Sequence, residues 1–234
     1  DQIAQGLVHS KDDILYIPYY NNGGFIAKNN NGSWTTAALT LPLHYVPVSI
    51  CEYGNFLAIG CAHVDGVSNS RIFFWDRDSS LTTIHESIDA GSGSLVILEE
   101  VDGELIAVSQ KGGVGSFAAH QGSPAGSINH RDRVIFRKLV GNHMQKIFEI
   151  QANHSSTANT LNIPLYKQKV DNRLYFQMLI ELNGSVRDGI WSVGRAYPGA
   201  PFTLIQERTT NNNTALTTAD DLNGFVMVGD YLFQ

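Results

Sequence analysis

Five times along the chain a short apolar strand, a polar turn of two to four residues and a second apolar strand follow one another. The units read GLVHSKDDILYIPYY, VPVSICEYGNFLAIGCA, SLVILEEVDGELIAVSQ, PLYKQKVDNRLYFQMLI and LTTADDLNGFVMVGDYLF. Their connectors, among them Val101-Asp102-Gly103, Asp171-Asn172 and Asn223-Gly224, are hairpin signals, because Asn, Asp and Gly tolerate the positive φ of tight turns. Most units are followed by a second strand pair with a polar tip: GGFIAKNNNGSWTTAAL, SRIFFWDRDSSLTTIHE and DGIWSVGRAYPGAPFTLIQE. The inner turns lie roughly 42, 48, 69 and 52 residues apart, bracketing the period of a four-stranded propeller blade. The long interval holds what reads as one extra hairpin, RVIFRKLVGNHMQKIFEIQ. No segment joins helical periodicity to helix caps over roughly ten residues, which disfavours an α/β architecture.

The expectation is an all-β chain, residues 1–234 forming a single β-propeller domain of about five four-stranded blades, with a two-layer sandwich as the rival. Neither end visibly closes the ring, so the termini share a blade or the domain continues beyond the given chain. Composition agrees: of 234 residues, 43% are hydrophobic and only 16% charged, with 22 glycines, so polarity comes from Asn, Ser and Thr. A formal charge of −6 gives no reason to expect nucleic acid, whose phosphates recruit clustered Lys and Arg. No apolar run approaches the roughly 18 residues of a membrane helix, so membrane insertion is not expected. The start without methionine reads as a processed product or an excised domain.

Cys51 and Cys61 flank the turn EYGN asymmetrically. Cys51 is expected opposite about Phe56 or Leu57, which leaves two unpaired, buried thiols. Sequons begin at Asn31, Asn153, Asn183 and Asn212, at the frequency the composition itself provides.

The motifs read as structural. FIAKNNNGSWTT resembles the Asp-box of sialidase-type propellers, with Asn30 in place of the acid and Trp34 two residues after Gly32; a true match would be architectural, a hairpin tip with the Trp folded onto the blade edge. RIFFWDRDSS resembles the third strand of a WD-repeat without its Gly-His partner, and strand alternation puts Phe73 and Trp75 on one face and Phe74 on the other. Asp76 and Asp78 have the spacing of a calcium loop but not its glycine or final Glu.

A glycosidase needs two carboxylates about 5 to 9 Å apart. The inner strands VPVSIC, SLVIL and IPLYKQ offer apolar, hydroxyl or amide groups instead. Glu99, Glu100, Asp12, Asp13, Asp220 and Asp221 fall in or beside turns and read as solvated. A sialidase would further require converging arginines, for which Arg173, Arg187 and Arg195 are the candidates by count. His120, His130, His143 and His154 are too widely spaced for a local zinc site. QKGGVGSFAAHQGSPAGS lacks a P-loop ending, and no serine has a nucleophile-elbow context. No catalytic, cofactor or metal residue is assigned.

LYKQKVDNRLYFQMLIELNGSVRDGIWSVGR, NGFVMVGDYLFQ and VDGELIAVSQ resemble propeller-type repeats of virion or tail-associated proteins of tailed bacteriophages. The resemblance implies a non-enzymatic structural or attachment module, virion-borne or extracellular. It would present the loops 111–132 and 208–214 to neighbouring protein subunits or to a host-surface glycan. Trp34, Trp75 and Trp191 are the aromatic platforms on offer, with core packing as the competing role of each. A carbohydrate-active enzyme of glycosidase or sialidase type on the same fold is the alternative; a cellular scaffold of WD or kelch type would need signatures in every blade.

Overall fold

The computed structural model describes residues 2–3, 8–9, 13–64, 68–77, 86–91, 94–111, 133–151, 167–182, 185–209, 226–228 and 231–233. Every regular element among them is a β-strand. The first sheet contains β1 (Gln2–Ile3), β2 (Val8–His9), β3 (Ile14–Tyr20), β4 (Gly24–Asn30) and β5 (Ser33–Thr40). The second contains β6 (Tyr45–Tyr53), β7 (Phe56–His63), β8 (Ser70–Trp75) and β9 (Glu86–Gly91). The third contains β10 (Ser94–Val101), β11 (Glu104–Lys111), β12 (Arg133–Val140) and β13 (His143–Gln151). The fourth contains β14 (Lys167–Val170), β15 (Arg173–Leu182), β16 (Ser185–Gly194) and β17 (Thr203–Thr209), and β18 (Val226–Val228) pairs with β19 (Tyr231–Phe233). From the second sheet to the fourth, strands are ordered in space as in sequence, and all pairs are antiparallel.

The expected repeat is therefore present, with two corrections. RVIFRKLVGNHMQKIFEIQ is no extra hairpin but β12 and β13, the outer pair of the third sheet. The Asn223-Gly224 signal lies outside the described residues, and the last hairpin seen pairs Val228 with Tyr231. The two short strands β1 and β2 both pair with β3, so the start of the chain supplies the edge of the first sheet beyond β3.

Strand alternation explains how the sheets assemble. In the second sheet Ile50, Leu57, Ile59, Phe73 and Trp75 pack with Tyr16, Ile26 and Leu39 of the first. Their neighbours Cys51, Ala58, Ile72 and Phe74 pack with Leu95, Leu98, Leu105 and Ala107 of the third. The opposite face of the third sheet, with Ile97, Ile106, Val108 and Phe136, meets Leu174, Phe176, Met178 and Val193 of the fourth. Three apolar seams thus separate four sheets in series. The second and third bury both faces, whereas a two-layer sandwich would bury one. Their first strands lie together: β10 packs beside β6 and β14, and β6 beside β3.

Each outer strand pair slips register once, between Ile26 and Lys28, Ser70 and Arg71, Phe136 and Arg137, and Ile190 and Trp191. Such bulges increase twist, and their recurrence in all four sheets makes them part of the repeat. The turns conform to their residues: Asn31 and Gly32, and Asp102 and Gly103, all have positive φ.

Cys51 lies opposite Ala58, and Cys61 opposite Pro47. The thiols are free, buried, and committed to different seams. Burial, with the Glu99 carboxylate adding, pushes the Cys51 thiol far up, and burial pushes Cys61 up as well. Neither is expected to react with Ellman's reagent before unfolding; stoichiometric labelling of the folded protein would disprove this packing.

The second seam is closest at Gly60, where an added Cβ would stand 2.4 Å from Leu95 Cδ2 and 3.4 Å from Leu98 Cβ. Gly60→Ala is expected to cost about 1–3 kcal/mol by overpacking. Leu95→Ala in the same chain should recover part of that loss, a coupling that a double-mutant cycle of denaturant melts reads directly.

Candidate functional site

Two groups of polar side chains occupy opposite ends of the strands. The first surrounds the β10–β11 turn. There the sequence reading expected solvated carboxylates, and the structure corrects it. Lys167 Nζ stands 2.7 Å from Glu99 Oε2 and donates to the Leu98 carbonyl at 2.5 Å. Lys169 Nζ lies 2.7 Å from Glu100 Oε2. Arg195 approaches Asp102 at 3.4 Å and Glu104 at 2.5 Å, and Lys138 reaches Glu104 at 2.8 Å. Four acids of the third sheet's first hairpin thus meet three cations of the fourth sheet and one of their own.

Phe202 supports this cluster, with the Arg195 guanidinium 4.2 Å from its ring centroid. Burial pushes Glu104 up, but the hydrogen bonds from Lys138 and Arg195 outweigh it and hold its carboxyl below the ordinary range. Burial likewise opposes the charge on Lys169, which its bond to Glu100 overcomes, raising it. These carboxylates form a clamp between sheets.

The first strands are also stitched by neutral bonds. Ser49 Oγ accepts from Leu98 N at 3.0 Å and donates to Leu98 O at 3.4 Å, joining β6 to β10. Between the second and third sheets Arg137 is buried, its guanidinium against Gly91 and donating to Ser109 Oγ at 3.3 Å.

The second group lies where β6 begins and β7 ends. Pro42 to Tyr45 form a turn closed by Tyr45 N donating to Pro42 O, and His44, its third residue, has φ 74. The His44 carbonyl accepts from Val64 N at 2.9 Å, extending the β6–β7 ladder by one residue. Register puts Tyr45 opposite His63. The imidazoles of His44 and His63 have centroids 5.8 Å apart, and Tyr45 meets His63 edge-on at 5.2 Å and Phe73 at 5.2 Å. Exposed Leu43 and His44 and half-buried Tyr45 and His63 make an amphipathic face. Sequence reading missed this pair because 19 positions separate its members; folding the hairpin about the EYGN turn would have brought them together.

The remaining candidates are dispersed. Trp75 is fully buried, edge-on to Tyr16 at 5.7 Å, and Trp191 lies in the third seam, so both are core. Trp34 is 52% exposed, against the expectation that it folds onto the blade edge. In its hairpin it is Asn29, not Asn30, whose Oδ1 accepts from Gly32 N, at 2.8 Å. Arg173 bonds Ser192 and Thr203 and lies 3.8 Å from Glu207, away from Arg195's partners; nothing is described of the Arg187 side chain. His143 is exposed at the β12–β13 turn, while His120, His130 and His154 lie outside the described residues, as do Asp12, Asp78, Asp220, Asp221 and most of the loops 111–132 and 208–214. No group of three metal-binding side chains occurs among the described residues.

No protein-family model matches the sequence, and no curated protein is similar to it. Among solved structures the chain is similar to an endo-arabinase from Bacteroides thetaiotaomicron, with TM-score 0.50 and 13% identity over 90% of this chain and 81% of that one. It is also similar to a Trypanosoma rangeli sialidase (TM-score 0.47, 11% identity, 79% of this chain and 29% of that one). An α-L-arabinofuranosidase from Clostridium thermocellum gives TM-score 0.39 and 12% identity over 98% and 80%.

The endo-arabinase likeness is one of fold, and it corrects the reading of a non-enzymatic virion or tail module: the architecture extending over nine-tenths of this chain is one on which an enzyme is built. The physical reason for the miscue is plain. Alternating strands joined by Asn, Asp and Gly turns are what any stack of four-stranded sheets requires, so the phage-like segments carried architecture and no function.

The clamp generates a pH prediction. A carboxylate held below its ordinary pKa stabilises the fold above that range and ceases to as pH falls through its folded value. Lys169, held above its ordinary value, contributes below about 10.4 and is lost as pH rises further. Glu104→Gln is expected to lower stability by about 1 kcal/mol near neutrality and to flatten the acid limb of a melting-temperature profile below about pH 4.3. An unchanged acid limb would remove Glu104 from the clamp.

Proposed function

We propose that the chain is a carbohydrate-active enzyme of glycosidase type, its sheets wound as the blades of a β-propeller with the β18–β19 hairpin contributing to a fifth. The observation that carries the reading is the shared architecture with the endo-arabinase over 90% of this chain. The winding is supported by the serial seams, by the clustering of β3, β6, β10 and β14, and by β18 lying beside β14.

The charge arrangement favours a neutral over an acidic saccharide. A carboxylated sugar calls for unengaged, converging arginines, whereas of the sequence's three candidates the two with described side chains are engaged, Arg173 with Ser192 and Thr203 and Arg195 with Asp102 and Glu104. Glu99, Glu100, Asp102 and Glu104 are likewise occupied, so acid–base chemistry falls to other carboxylates. The His44–Tyr45–His63 face, with an exposed apolar residue and ring edges beside polar nitrogen, suits the alternating apolar and hydroxyl surface of a pyranose or furanose.

The test is release of reducing ends from arabinan and other neutral polysaccharides, alongside fluorogenic neutral glycosides and a sialoside. Turnover of a neutral substrate above that of the sialoside is expected, with Tyr45→Ala raising KM. No hydrolysis across the panel, together with no retardation in polysaccharide-containing gels, would overturn the proposal.

A further inference from the structure

His44 carries a backbone cost that packing does not explain. The third residue of a turn with positive φ is ordinarily glycine, and a histidine there is strained, yet its side chain is exposed rather than buried in a seam. The conformation aims the His44 carbonyl at Val64 N and leaves the His44 ring 5.8 Å from that of His63. Both backbones are fixed, His44 through its carbonyl bond to Val64 and His63 through its ladder pairing with Tyr45. The His63 ring is further held by the edge of Tyr45.

We propose that His44 and His63 form a two-imidazole site for a late divalent transition-metal ion. With metal–nitrogen bonds of about 2.0–2.1 Å, an ion shared by two imidazoles holds their centroids on the order of 5 Å apart. Reaching that spacing from 5.8 Å would take a rotation of the exposed His44 side chain. Nitrogen donors select copper, nickel or zinc over calcium and magnesium, which take oxygen. No third protein ligand stands beside the pair among the described residues, and with two imidazoles alone the ion's other positions would hold water or another oxygen ligand. The site is therefore weaker than a closed four-ligand centre, and Cu²⁺ is its tightest occupant. The site shares His44 and His63 with the face proposed for saccharides but does not rest on that reading, since copper uptake and hydrolysis are read separately and either can fail without the other.

The experiment titrates the metal-free protein with CuCl2, followed by calorimetry and by electron paramagnetic resonance of frozen samples. The parent protein is expected to bind one equivalent more than His44→Gln or His63→Gln, with nitrogen hyperfine structure that those variants lose. At the remaining sites affinities should be unchanged. ZnCl2 added to the copper-free protein should occupy the same site more weakly and yield it to CuCl2, CaCl2 should not compete, and His143→Ala should bind as the parent does. Melting temperatures of the variants verify that they fold, and His44→Gly, which relieves the φ strain, should be at least as stable as the parent and still lose the ion. Equal copper uptake by the parent and both glutamine variants, or an oxygen-only spectrum, would overturn the proposal.

Discussion

Everything in this protein depends on sheets that are apolar on both faces. A strand such as β6 buries nearly every residue from Val46 to Cys51, sending Ile50 to the first sheet and Cys51 to the third. A sheet of that kind cannot stand at the surface of a sandwich; it needs a neighbour on each side, and each neighbour then needs another. Serial stacking of twisted sheets turns a short repeat into a large core. The recurrent outer bulges accompany this, since stacked sheets must twist together to keep their faces in contact.

The seams are not chemically alike. Between the first and second sheets the contact is aliphatic with an aromatic pair at Trp75 and Tyr16. Between the second and third it is small-residue packing, so tight at Gly60 that no side chain fits, with Ser49 tying the first strands together. Between the third and fourth an apolar interior is bordered by ion pairs around the β10–β11 turn. Half-exposed ion pairs add little energy each, but they bond only in one register.

How much of this was legible in the sequence follows from the range of the interactions. Strand and turn assignments depend on neighbours, so the hairpins about Asp102-Gly103 and Asn31-Gly32 and the opposite facing of Phe73 and Phe74 could be read directly. The alternation that fixes faces also implies both-sided burial, which the run VPVSIC already suggested. What could not be read was long range. Lys169 finds Glu100 across 69 positions and Arg195 finds Glu104 across 91, and nothing local distinguishes those carboxylates from solvated ones. A bulge is equally silent, because it changes pairing without changing composition, as between Pro47 and Ser49; Cys51 meets Ala58 rather than Phe56 or Leu57 because the turn is tighter than EYGN, with Tyr53 already opposite Phe56.

The division of polar labour between the two ends of the strands bears on what the molecule can do. A strand end closed by tight turns and reciprocal ion pairs has spent its charges on holding sheets together, and a ligand reaching it would have to replace bonds already made. At the other end of β6 and β7 stand the half-buried ring of Tyr45 and the exposed side chains of His44 and Leu43, which lose little by meeting a ligand. Binding surplus comes from groups whose solvation is cheap to give up and whose positions are already fixed. On that ground the saccharide surface proposed above belongs at the His44 end of β6 and β7, away from the ion-pair clamp.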